Sequence, residues 1–204
     1  MDSQQQQPIT DCVILAGGSG VRMGGPKALL EIGGETLLRH QFELLSALFP
    51  RTSIALKNDR LIDKIDPLNW HQILIDPPDS RSLLDVLGSI ITRVNGPVFI
   101  AAVDLPQLTA SIVTTICSHH STGISVIPLE QDRPQPLAAV WDPAALEVLE
   151  PADGDLALLA WVRRARTRLL RWPVDFPEHR DDTTSRPFQN LNSPEDLDSL
   201  EPDS

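Results

Sequence analysis

Cysteine is scarce in this chain. Cys12 and Cys117 are the only two. They form no Cys-x-x-Cys and share no zinc-like spacing with histidine, so neither a disulfide framework nor a cysteine metal site organises the fold. Buried free thiols in a reducing cytoplasm are the expectation. Long apolar runs are absent too, which excludes a helical bilayer span. The opening Met-Asp-Ser-Gln-Gln-Gln-Gln-Pro lacks the basic end and apolar stretch of a signal peptide. Residues 1–10 therefore read as a disordered tail. Positive charge is also short: 17 Lys and Arg face 28 Asp and Glu, for a net charge of −11. That balance argues against nonspecific binding to nucleic acid or an anionic membrane. There is no serine nucleophile elbow with His and Asp partners, so acyl transfer has no support. His119-His120 has no third ligand at a metal-like spacing and reads as a helix end favoured by the dipole.

What is present fits one globular domain of residues 11–198, followed by an acidic tail of 199–204. An apolar content of 41% over 204 residues is enough for a sizeable core. Short apolar runs alternate with helical periodicities. Strands are expected at 12–16, 53–57, 72–75, 97–103, 123–128, 137–141 and 168–174. The run at 97–103 is continuously apolar, as in a strand buried on both faces. Residues 31–34 read as a turn. Helices are expected at 35–48 (Leu38, Phe42, Leu45, Phe49) and 82–93 (Leu83, Val86, Leu87, Ile90). Others are expected at 109–119, 143–149 and 154–166, with a short one capped by Ser193. The alternation predicts a three-layer α/β/α, Rossmann-like fold with a mostly parallel sheet. Such sheets bind ligands at the carboxyl ends of their strands. Five arginines from Arg163 to Arg171 read as a solvated face.

One run says most about function. Leu15-Ala16-Gly17-Gly18-Ser19-Gly20-Val21-Arg22-Met23-Gly24-Gly25-Pro26-Lys27 leaves the first strand with five glycines, an Arg and a Lys. Glycine lets backbone N–H groups approach a ligand, and the cations suit a polyphosphate. The better-known phosphate loops do not fit. A Walker loop fails because Pro26 precedes Lys27 and Ala28 has no hydroxyl. The dinucleotide fingerprint fails because Met23 stands where the third glycine belongs. Asp76 and Asp104 lie at the ends of two other strands, on the same expected edge. Asp104 there suits a hard cation such as Mg²⁺, although Asp-x-Pro alone is also a common helix start.

The run Leu-Ala-Gly-Gly-x-x-x-Arg-Met-Gly-x-x-Lys at residues 15–27 resembles the signature loop of nucleotidyltransferases. Within them it is most similar to the molybdenum cofactor guanylyltransferase family, through Gly17-Gly18. A second motif supports this: Asn190-Leu191-Asn192-Ser193-Pro194-Glu195-Asp196-Leu197 looks like that family's Asn-x-Asn-x-Pro-Glu-Asp-Leu. The resemblance implies an enzyme that joins GMP from GTP to the phosphate of molybdopterin or Mo-molybdopterin, with Mg²⁺ as cofactor. It implies that Leu15, Ala16, Gly17, Gly18, Ser19 and Gly20 wrap the triphosphate, with Arg22 and Lys27 neutralising it and Asp104 holding the metal. Asp76 would accept the guanine N–H groups, and Asn58 would lie near the base. Asn190 and Asn192 would grip the acceptor pterin, with Arg133 and Pro136 lining its pocket or simply forming a rigid loop. The product would pass to molybdoenzymes or cofactor-insertion proteins. The chain departs from the family at Gly20, usually serine, and at Pro26, usually acidic. It departs more at Leu84-Asp85-Val86-Leu87-Gly88-Ser89-Ile90, where the family has Gly-Pro-Leu-x-Gly. Only Leu87 and one of Gly88 and Ser89 can be matched there. A related transferase using CTP or another phosphorylated acceptor, or a non-catalytic nucleotide-binding regulator, fits the same residues.

Overall fold

The computed structural model describes residues 8–17, 25–65, 67–146, 158–182, 184–193 and 196. The expected tails at 1–7 and 199–204 lie outside the described residues, as do Gly18, Ser19, Gly20 and Arg22. So do 147–149 and 154–157 of the two expected later helices, and most of the helix after Ser193. In chain order the strands are β1 (Asp11–Leu15), β2 (Glu31–Ile32), β3 (Glu35–Thr36), β4 (Arg51–Leu56), β5 (Ile73–Ile75), β6 (Val98–Ala102), β7 (Ser125–Glu130), β8 (Arg133–Pro134), β9 (Ala138–Trp141) and β10 (Thr167–Arg171). The helices are α1 (Leu37–Ser46), α2 (Leu83–Val94), α3 (Ala110–Ser118), α4 (Pro143–Leu146) and α5 (Leu158–Arg164).

Among the described residues the main sheet runs β10-β7-β9-β6-β1-β4-β5, with β8 paired to β7. β1 is parallel to both β4 and β6, and β4 is parallel to β5. β10 is parallel to β7. β9 breaks the pattern, running antiparallel to both β6 and β7. Period-2 alternation sorts the side chains of β1 onto two faces. Cys12 and Ile14 join Leu38, Leu45, Ile112 and Ile116 of α1 and α3 on one side. Val13 joins Leu87, Ile90 and Ile91 of α2 and Val162 of α5 on the other. The result is helices on both faces of one sheet.

Three expectations are corrected at their edges. Glu35 and Thr36 do not begin the helix; they pair with Glu31 and Ile32 as a small hairpin. Gly33 and Gly34 make its turn at φ +60° and +87°, where glycine has no Cβ penalty. Thr36 then caps α1, accepting from the Arg39 N–H. In α2, Leu84, Leu87, Ile90 and Ile91 are buried, while Leu83 stays 42% exposed. The apolar stripe is therefore turned from the expected one, and its edge is left for a cleft. His120 is more than a helix end: its Nε2 meets the Asp142 carboxylate at 2.8 Å in a buried pair. Burial pushes the Asp142 carboxyl up, but His120 and the Gly123 and Ala144 N–H groups outweigh it and hold it low. Both cysteines are free; Cys12 is buried, and burial pushes the half-buried Cys117 thiol up to about 12. No helix among the described residues is long and apolar enough to cross a membrane.

Candidate active site

Three parallel strands end side by side, and residues just past their ends form one row. β1, β4 and β5 pair through Leu15↔Ala55 and Leu56↔Ile75. Ala16 N–H donates to the Ala55 carbonyl at 2.8 Å, and Asp76 N–H donates to the Leu56 carbonyl at 2.9 Å. The ladder therefore carries Gly17, Lys57 and Asp76 together over the sheet edge. A Cβ on Gly17 would lie 3.3 Å from the Lys57 backbone nitrogen and 3.7 Å from an Asp76 carboxylate oxygen. Glycine here permits close approach between neighbouring strand ends. The row opens into a cleft of about 530 Å³.

The far wall of this cleft is the start of α2. Ser82 and Asp85 form a capping box. The Asp85 carboxylate accepts from the Arg81 and Ser82 N–H groups at 2.8 and 3.1 Å, which holds its carboxyl below the usual range. This fixes Arg81, Ser82, Leu83 and Val86, all of which face the cleft. Gly88, the small residue available for a match to the family's glycine, points elsewhere: a Cβ there would lie 3.7 Å from Trp161. Val86, not glycine, lines the cleft from this helix. Burial raises the Asp76 carboxyl, with Lys57 and Arg93 opposing the shift.

The other end of the cleft holds the cluster of Lys27, Asp104 and Asn192. Lys27 opens a short 3₁₀ turn (Lys27–Leu29) anchored by buried Ala28. Asp104 follows β6, and Val103 N–H donates to the Leu15 carbonyl at 3.0 Å. The Lys27 ammonium lies 2.6 Å from Asp104 Oδ2 and 3.1 Å from Asn192 Oδ1. The C-terminal segment is strapped on by its backbone, with Leu191 N–H donating to the Asp104 carbonyl at 3.0 Å. Asp196 then accepts from the Asn192 and Ser193 N–H groups at 2.8 and 2.9 Å, which lowers its carboxyl.

Among the candidates, Leu15, Gly17, Lys27, Asp76 and Asp104 line one cleft, and Asn192 reaches it through Lys27. The others have different surroundings. Asn58 caps the next 3₁₀ turn by accepting from the Arg60 N–H at 3.1 Å and is exposed. Asn190 contributes a backbone carbonyl to the Asn192 side chain at 3.3 Å. Arg133 lies exposed on β8, and the Pro136 carbonyl accepts from the Trp141 ring N–H at 2.9 Å. Neither lines the cleft, although Leu137 beside them does. Lys57, Ser80 and Arg81 line it and escaped the motif reading. Lys57 carries no motif; the strand register is what brings it to the cleft beside Asp76.

Among the described residues no group of three or more His, Cys, Asp or Glu gathers in metal-binding fashion. Of the two carboxylates that line the cleft, Asp76 and Asp104, Asp104 is the one at the Lys27 end and offers a hard oxygen there. That suits Mg²⁺, which is commonly held by one or two carboxylates with the rest of its shell from phosphate and water.

The sequence matches the MobA-like NTP transferase domain over residues 12–193. It is 30% identical over 202 residues to a Thermococcus gammatolerans protein named "Probable molybdenum cofactor guanylyltransferase", covering 92% of this chain and 96% of that one. It is 29% identical over 206 residues to the "Molybdenum cofactor guanylyltransferase" of Rhizobium johnstonii, covering 91% and 88%. The fold is shared with the molybdopterin-guanine dinucleotide biosynthesis protein A of Archaeoglobus fulgidus, at a TM-score of 0.74 and 22% identity, over 94% of this chain and 96% of that one.

Proposed function

The chain belongs to the MobA-like NTP transferase family, and from that membership we propose that it transfers GMP from GTP to the phosphate of molybdopterin or Mo-molybdopterin, releasing pyrophosphate. It is a nucleotidyltransferase of molybdenum cofactor synthesis; the nucleotide, the metal and the acceptor are our reading. An acceptor phosphate oxygen attacks the α-phosphorus of GTP. A new P–O–P linkage forms as the bond from the α-phosphorus to the bridging oxygen breaks, and that oxygen leaves with its electron pair on pyrophosphate. No protein nucleophile is needed.

The observation that carries this reading is the meeting of Lys27, Asp104 and Asn192 from three distant parts of the chain at one cleft. Lys27 would offset charge growing on the departing pyrophosphate, and fixed charge of this kind is a large catalytic contribution. Arg22, on the same loop, would assist it. Asp104 would hold Mg²⁺, which when bound neutralises phosphate oxygens. Asp76, at the other end, would accept the guanine N1–H and N2–H₂ groups, since a carboxylate offers two acceptor oxygens. Asn192, bonded to Lys27, would set an acceptor beside the nucleotide, so that the two substrates would be held close for in-line attack.

The test is a pyrophosphate-release assay with authentic molybdopterin and a panel of GTP, ATP, CTP and UTP, with and without Mg²⁺. Mg²⁺-dependent release with GTP alone is the expected result. Release with CTP instead would move the protein to a cytidylyl transferase. Tight GTP binding without release would make it a regulator.

A further inference from the structure

We infer that Lys57 is a base-reading residue: with Asp76 it forms a two-part reader for a ring edge that carries an N–H beside a carbonyl oxygen. In GTP that edge is guanine N1–H and O6. The inference rests on the GTP reading above and deepens it.

The placement follows from strand register. β4 and β5 are parallel and pair at Leu56↔Ile75. Lys57 and Asp76 are the next residue in each, and the Asp76 N–H bond to Leu56 continues the ladder between them. Alternate residues share a face. Ala55 and Leu74 both pack into the core on the α2 side. Lys57 and Asp76 therefore leave the sheet on that same side, and both line the cleft. Neighbouring strands lie about 4.8 Å apart. The two head groups thus start side by side, at a separation suited to the hydrogen-bonding edge of a nucleobase. Apolar Leu15, Ala55, Leu83 and Val86 line the cleft around them and suit the faces of an aromatic ring.

The chemistry of the pair is directional. A carboxylate only accepts and an ammonium only donates. Guanine offers donors at N1 and N2 next to an acceptor at O6, which meets both. Adenine offers an amino group where guanine has O6 and a lone pair at N1. It would set donor against ammonium and acceptor against carboxylate. Among the described residues neither head group has a hydrogen-bond or ion-pair partner, so the right base breaks no internal contact when it arrives. Lys57 is exposed, and its replacement should leave the fold intact.

Equilibrium binding of GTP, ITP and ATP to the full chain, to Lys57→Met and to Asp76→Asn tests the inference. ITP keeps N1–H and O6 but lacks the 2-amino group. Lys57→Met should weaken GTP and ITP equally, by on the order of 10- to 100-fold for a lost charged hydrogen bond, and leave ATP nearly unchanged. Asp76→Asn should weaken GTP more than ITP. Equal loss for all three nucleotides in Lys57→Met would mean the ammonium meets phosphate, and would overturn the inference. So would an unaltered preference for GTP. Unmodified protein that binds ATP as tightly as GTP would overturn the guanine reading itself, and this inference with it.

Discussion

The two ends of the cleft hold their charges in opposite ways. At one end Lys27, Asp104 and Asn192 already satisfy one another, with the ammonium 2.6 Å from the carboxylate and 3.1 Å from the amide oxygen. At the other, Lys57 and Asp76 stand on adjacent strands with no partner of this kind among the described residues. The first arrangement would hold the proposed catalytic groups in position before substrate arrives, and a ligand there must exchange one set of contacts for another. The second waits for a ligand that supplies both halves of the match. Changes at the paired end should therefore appear in turnover, and changes at the open end in the choice of nucleotide.

That division can be broken experimentally. The largest effect should come from Asp104→Asn, which is expected to take Mg²⁺-dependent pyrophosphate release to background. Activity retained at the ordinary Mg²⁺ requirement would move the metal elsewhere. Lys27→Ala should follow, lowering kcat by roughly 10²- to 10³-fold, the cost of losing one preorganised charge-stabilising group. Its thermal melt should stay close to that of the unmodified chain. Near-normal turnover would make the cluster a structural tie only. Asn192→Ala should be the mildest, lowering kcat about tenfold with the KM for GTP little changed, as expected for a residue that acts by positioning Lys27. If the KM for molybdopterin rises instead while kcat holds, Asn192 is an acceptor contact, which would sharpen the comparison.

Much of this geometry could be read from local sequence. β1 and β6 are short apolar runs with polar boundaries, and α2 announces itself with Ser82 and Asp85 at capping-box spacing. Their positions put the glycine run, Asp76 and Asp104 on one edge. Strand direction was less legible. An apolar run such as 138–141 reads the same in either sense; the reversal of β9 follows from the two-residue turn at Gln131 and Asp132, both at positive φ, which sends the chain back antiparallel along β7. The hairpin of β2 and β3 was hidden because Glu35 and Thr36 continue smoothly into a helical periodicity. The stripe of α2 sits about one residue from its sequence periodicity, since Leu83 and Val86 look like core until the cleft takes them. Gly88 illustrates the same limit: a glycine matched by sequence faces Trp161 across the helix. Lys57 carries no motif, and its meaning emerges only when register sets it beside Asp76.

The main-chain bond from Leu191 to the Asp104 carbonyl has a temporal side. Lys27 meets Asp104 across 77 residues and Asn192 across 165. Asn192 also follows every strand of the sheet in the chain. Synthesis delivers β1, β4, β5 and β6 well before the strap, and the strap reaches Asp104 through its main chain. The cluster of Lys27, Asp104 and Asn192 therefore cannot be complete until residue 192 has been made, so a truncation before the strap would leave the cleft walls of β1, β4 and β5 but lack this tie.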